Sequence, residues 1–288
     1  MFLADLVDLV LPAVCAGCEE PARGALCGPC RAALRAASPQ RTRPDPEPQG
    51  MPVTYALAAY AGSVRGALLQ YKEKGRRELT RDLGEALARV VVRALSTPAG
   101  PPGSRASVSQ PSMWTSHAPA SQPPMWAGRA SASRPLRRAS HAPPGHVRFG
   151  TGGRPVGQVV LVPVPATAAA VRERHGDHVL RLAKVVAGML PDASVVMPLR
   201  ALPKRGDSAE LSAAERAVAA RQAFALRARG VAELRARVAD GAAVVVVDDI
   251  VTTGVTLAAA AGWVARATEG GTVPRAAVLA ATQRRRAT

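Results

Sequence analysis

The chain has 288 residues, 48% hydrophobic and 20% charged, enough to bury the core of one large domain with small additions. Aromatics at 3% are too few for an aromatic-lined nucleic-acid platform. The formal charge of +17 invites an anionic partner, whether nucleic acid, membrane surface or phosphorylated metabolite.

Residues 1–38 open with an apolar stretch in which Phe2, Leu3, Leu6, Val7 and Val10 recur at helical spacing, closed by Pro12. This predicts a short amphipathic helix. A secretory signal is disfavoured, because no basic residue precedes the run and Asp5 and Asp8 interrupt it. No apolar run approaches the roughly 20 residues of a membrane span, so a cytoplasmic location is expected. All four cysteines follow, as Cys15-x-x-Cys18, eight residues, then Cys27-x-x-Cys30. Two such knuckles are the pattern for tetrahedral Zn2+, and four protein ligands leave no open position, so the zinc is structural. Disulfides are the rival, disfavoured by a reducing compartment. A redox pair would need a thioredoxin-like context that the flanking sequence lacks.

Residues 39–50 (PQRTRPDPEPQG) read as a proline-rich linker with no apolar residue to pack. From 51 to 95 a β-rich run (VTYALAAY) precedes a Gly/Lys turn and an apolar-periodic helix through Leu79, Leu83, Leu87 and Val91. Residues 96–156 carry 11 of the 25 prolines and no Asp, Glu or Lys, and SQPSMW at 109–114 returns as SQPPMW at 121–126. Two copies of a polar 12-residue repeat are too short for a solenoid, which predicts a disordered low-complexity insert. The seven arginines of this insert and the three of the basic tail at 283–288 supply more than half of the excess charge.

Order is expected again over 157–282: a strand at 157–163, a helix at about 177–190, a strand at 194–199 and a charged loop. A helix from Ser212, with Ser212 and Glu215 as a capping box, follows, then a strand at 243–248, a helix at 255–267 and a strand at 275–281. Valine-rich strands alternating with helices predict an α/β fold whose parallel sheet is covered on both faces.

The chemistry concentrates in VVVVDDIVTTGVTL, residues 244–257. An apolar strand runs into two carboxylates, then a Thr-Thr-Gly-x-Thr loop opens a helix. Hydroxyls of Thr252, Thr253 and Thr256, close approach at Gly254, and the N–H groups from Val255 onward make a phosphate cradle. Asp248 and Asp249 accept hydrogen bonds only, which suits a vicinal diol. Cradle and diol clamp together describe a ribose 5-phosphate. The bland alternative is that the aspartates cap a helix and the threonines fill a turn.

The string resembles the phosphoribosyl-pyrophosphate signature of type I phosphoribosyltransferases. The chain over about 1–95 and 157–282 resembles the ComF family, competence-associated phosphoribosyltransferase-like proteins with a cysteine-rich N-terminus. YKEKGRREL (71–79), Pro163-Val164-Pro165 and the patch Arg174, His175, Gly176, Asp177, His178 carry that likeness. The resemblance implies a type I phosphoribosyltransferase-like parallel sheet flanked by helices, with a small N-terminal zinc-binding module. It implies that Asp248 and Asp249 are catalytic carboxylates on the ribose hydroxyls, directly or through Mg2+, and that residues Thr252 to Thr256 hold the 5-phosphate. It further implies that the loop at Pro163, Val164 and Pro165 holds pyrophosphate through N–H groups, with Arg172 and Arg174 adding charge. Arg200 to Ala209 would then be a mobile loop over the substrate. The chain departs from the family pattern in the displaced glycine of RHGDH and in alanine at 219–220.

The expected function is phosphoribosyl (pentosyl) transfer from phosphoribosyl pyrophosphate to an unidentified nucleobase or nitrogen acceptor. The alternative is a non-catalytic protein that senses this ligand or assists DNA uptake, with DNA or the uptake machinery as partner.

Overall fold

Valine and leucine dominate the central strands, and their alternation decides which side each face packs on. The computed structural model describes residues 14–96, 158–174, 176–203, 219–220 and 222–282. All of these belong to one of the two units into which the chain divides, Met1–Pro98 with Phe149–Thr288; the other, Ala99–Arg148, lies outside them.

The described helices are α1 (Gly28–Ala36), α2 (Gly62–Glu73), α3 (Thr80–Leu95), α4 (Ala168–Glu173), α5 (His178–Met189), α6 (Ala228–Ala239) and α7 (Val255–Ala267). The strands are β1 (Gln40–Thr42), β2 (Thr54–Ala59), β3 (Val159–Pro163), β4 (Ala193–Val195), β5 (Leu199–Ala201), β6 (Phe224–Leu226), β7 (Ala243–Val251) and β8 (Arg275–Ala281). Six of them form a sheet in the order β1-β2-β8-β7-β3-β4, while β5 and β6 make a separate antiparallel pair. Every pairing in the larger sheet is parallel except β1 with β2.

Successive strand residues face opposite sides, so each strand feeds two cores. Leu161, Val245, Val247 and Leu279 pack with Leu83 and Leu87 of α3 and Leu182 of α5. Val160, Val162, Val246 and Val278 pack with Leu234 of α6 and Leu257 and Val264 of α7. The fold class is therefore α/β with a mostly parallel sheet flanked by helices and a cysteine-rich N-terminal segment.

Several boundaries differ from expectation. Residues 39–50 are not a bare linker: Gln40–Thr42 pair with Thr54–Ala56 as an edge strand, held by backbone bonds that need no apolar side chain. The strand expected at 194–199 divides into β4 and β5, which join different sheets. The strand expected at 243–248 continues to Val251, because pairing with β8 persists through Ile250↔Ala280 and Val251↔Ala281. Between the expected helix start at Ser212 and β7, the described residues hold β6 and α6, which the sequence pattern does not predict. The N-terminal helix, the insert from residue 97, the Ser212–Glu215 capping box and the tail lie outside the described residues.

Candidate functional site

Strand β3 runs through α4 and α5 to β4 on one side, whereas β7 runs through α7 to β8 on the other. The crevice at the carboxyl ends of β3 and β7 is thus the topological switch point, where open α/β sheets bind ligands. The two strands pair in the register Pro163↔Val247. The Pro163–Pro165 and Asp248–Thr256 segments, far apart in sequence, follow one another's edges there.

Asp249 lies deep in that crevice, its side chain 6% exposed. Its Oδ2 is 2.9 Å from His178 Nε2 and 3.1 Å from Lys72 Nζ, and its Oδ1 accepts the Ile250 N–H at 2.8 Å. Burial pushes its pKa up, but the His178 hydrogen bond and the Lys72 charge outweigh that and hold it well below the usual carboxylate range. Asp248 is half-buried, and its Oδ1 accepts the Asp249 N–H at 2.8 Å. Burial and the adjacent Asp249 charge push the Asp248 carboxyl well above its ordinary value. Two neighbouring carboxylates have therefore been given opposite electrostatic settings.

In the loop after β7, Thr252, Thr253 and Thr256 are exposed, Val255 is half-buried, and Gly254 is buried at φ +75° as the N-cap of α7. A Cβ at Gly254 would stand 2.8 Å from both Met51 Sδ and Pro44 Cγ, so glycine is needed for space as well as for its left-handed backbone. The Ala258 N–H reaches Gly254 O at 2.9 Å, and the N–H groups before it have no intrahelical partner. Two exposed loop threonines and the exposed Thr256 of the first helical turn thus flank the N-terminus of α7.

The loop at Pro163–Pro165, expected to hold pyrophosphate, is poorer in donors than that expectation requires. Pro163 and Pro165 carry no N–H, and the Val164 N–H is spent on Val247 O at 2.9 Å. Thr167 caps α4 by accepting the Ala170 N–H at 3.3 Å. Arg172 is exposed on α4, and Arg174 is half-buried, with NH2 3.6 Å from Glu73 Oε1 and Nε buried without a partner. The structure therefore brings Arg174, not Arg172, inward. His175 and most of the stretch from Arg200 to Ala209 (204–209) lie outside the described residues.

The four cysteines form a second cluster. The ligand atoms of Cys15, Cys18, Cys27 and Cys30 all lie within 4.8 Å of one another and could hold a metal such as zinc. Tetrahedral zinc with bonds of about 2.3 Å spaces its sulfurs about 3.8 Å apart; Cys18 Sγ and Cys27 Sγ are 3.7 Å apart. The N–H groups of Gly17 and Cys27 donate to Cys15 Sγ at 3.3 and 3.2 Å. Against the opposing effect of burial, such backbone bonds bring the Cys15 thiol down to about 6. None of the four is in a disulfide.

Lys72 is the residue that sequence reasoning did not assign. Its only signal was the YKEKG turn, which places it at the end of α2 without showing which carboxylate it meets. The partner of His178 was equally hidden. Comparison with protein-family models and with curated proteins finds no match for this chain. Among the described residues, no helix is long and apolar enough to cross a membrane.

Proposed function

We propose that the chain binds phosphoribosyl pyrophosphate at the β3/β7 crevice and transfers its phosphoribosyl group to a nucleobase or other nitrogen acceptor. The observation that carries this is the junction of a carboxylate pair with a Thr-Thr-Gly-x-Thr helix N-terminus at the switch point of the sheet. The threonine hydroxyls and the α7 N–H groups suit the 5-phosphate, and a carboxylate oxygen beside them suits the ribose diol. Pentosyl transfer develops positive charge on the sugar, so the task of these side chains is to orient the ribose and keep its hydroxyls fixed as the bond breaks.

Magnesium fits this donor set at Asp248, a half-buried hard oxygen donor that no salt bridge among the described residues reaches. When bound with the ligand, the ion would neutralise leaving-group charge. At the cysteine cluster, sulfur spacing and N–H···S bonds suit a structural zinc.

One observation favours a second reading, ligand sensing without turnover. The loop at Pro163–Pro165 offers no free N–H to a leaving pyrophosphate. Pyrophosphate release in the presence of magnesium and a panel of nucleobases and nitrogen nucleophiles separates the two. Release with at least one acceptor is the expected result; binding by calorimetry with no release by any acceptor establishes the sensor; no binding overturns both.

A further inference from the structure

We propose that the two adjacent carboxylates divide their work: Asp248 meets the ligand, and Asp249 is a positioning residue, locked away by His178 and Lys72. The proposal rests on the phosphoribosyl reading above and deepens it.

Three protein donors already occupy Asp249, namely His178 Nε2, Lys72 Nζ and the Ile250 N–H. Three of the roughly four acceptor sites of the carboxylate are thus taken, and its side chain is only 6% exposed. Asp248 is the more open of the pair, and among the described residues the one N–H that reaches its carboxylate is that of the Asp249 peptide, at 2.8 Å. Whatever fixes the backbone of Asp249 therefore also fixes the Asp248 carboxylate.

The lock is built from two helices. Lys72 stands in the last turn of α2 and His178 in the first turn of α5. Tyr71, next to Lys72, donates to the His178 carbonyl at 3.3 Å. His178 is itself buried, and its Nδ1 has no partner among the described residues, so the ring is held through Nε2 to Asp249. One carboxylate thus joins α2, α5 and β7 inside the crevice. A buried charge pair has little to recommend it for stability alone; here it presents the neighbouring residue to the ligand.

The test uses the full chain, phosphoribosyl pyrophosphate with magnesium as the probe, calorimetry at low temperature where every variant is folded, and a melting curve for each variant. Asp248→Asn is expected to weaken binding about tenfold or more with little change in melting temperature. His178→Leu and Lys72→Met are expected to weaken binding about tenfold, whereas His178→Gln, which keeps a donor toward Asp249, stays within about threefold of wild type. A purely structural role would not give that rescue. The decisive measurement is His178→Leu in the Asp248→Asn background, where its effect on binding should vanish because it acts through Asp248. An undiminished effect there, or an unchanged affinity in His178→Leu alone, overturns the proposal. If wild type does not bind the probe, the phosphoribosyl reading falls. The lock is then judged by unfolding of His178→Leu, Asp249→Asn and the double variant: non-additive losses support it and additive losses overturn it.

Discussion

Gly17 stands inside the cysteine cluster, and a Cβ there would lie 2.9 Å from Cys30 Sγ and 3.1 Å from Ser63 Cβ. Contacts that short force the sulfur or the α2 helix to move, and the sulfur belongs to a set spaced for tetrahedral metal. Gly17→Ala is therefore expected to weaken zinc binding about tenfold or more, read by competition against a chromophoric chelator. The wild type should carry one zinc per chain and lose thermal stability on chelation, since binding energy here is folding energy. Unchanged affinity in the variant, or a wild type without metal, would remove the zinc reading. The cysteine spacing and the small Ala16-Gly17 loop were both legible in the sequence. The crowding by Ser63 was not, because it arises from packing across the chain. The same holds for the carboxylates. Asp248 and Asp249 announce themselves as adjacent acids after a valine strand, but Asp249 is held low by His178 and Lys72, which only the folded chain brings within 3.1 Å, and Asp248 is pushed up by burial and the Asp249 charge.

One arginine ties helix α3 to the carboxyl end of α1. Arg89, on α3, donates through NH1 to the carbonyls of Arg35 and Ala37 at 2.7 and 2.8 Å, and through NH2 to that of Leu34 at 2.5 Å. These are carbonyls at the end of α1, which have no partner within their own helix. A guanidinium fork can reach all three at once; an ammonium is a point donor on a different stem. Arg89→Lys is expected to cost about 1–3 kcal/mol in denaturant unfolding, and an unchanged midpoint would show that water satisfies those carbonyls as well. Legibility at this scale follows length and apolarity. Strand β8 and helix α7 have the bounds their patterns predicted, 275–281 and 255–267, because each is an unbroken run that buries a face. Strands β1, β5 and β6 are three residues each, too short for any period to show, and β1 is polar throughout. Backbone pairing alone makes them strands, and side-chain pattern carries no trace of it.

Both faces of the large sheet are closed by described residues. Leu83, Leu87 and Leu182 cover one side and Leu234, Leu257 and Val264 the other, and the central strand residues Leu161, Val162, Val246 and Leu279 are fully buried. Residues 97–157 join α3 to β3 and lie outside the described residues. The composition of that stretch predicts an insert outside the core, and the entropy of closing such a loop grows only with the logarithm of its length. Replacing 97–155 with a shorter Gly/Ser linker should leave the melting temperature within a few degrees of wild type and leave ligand affinity at the β3/β7 crevice unchanged. It should also strip seven arginines from the chain, lowering any salt-sensitive association with nucleic acid without touching the crevice. Melting curves, calorimetry and DNA binding at two salt concentrations read these three quantities separately. A fall of about 10 °C or more would mean that the insert, with Trp114 and Trp126 as its natural anchors, packs on the sheet domain and belongs to its core.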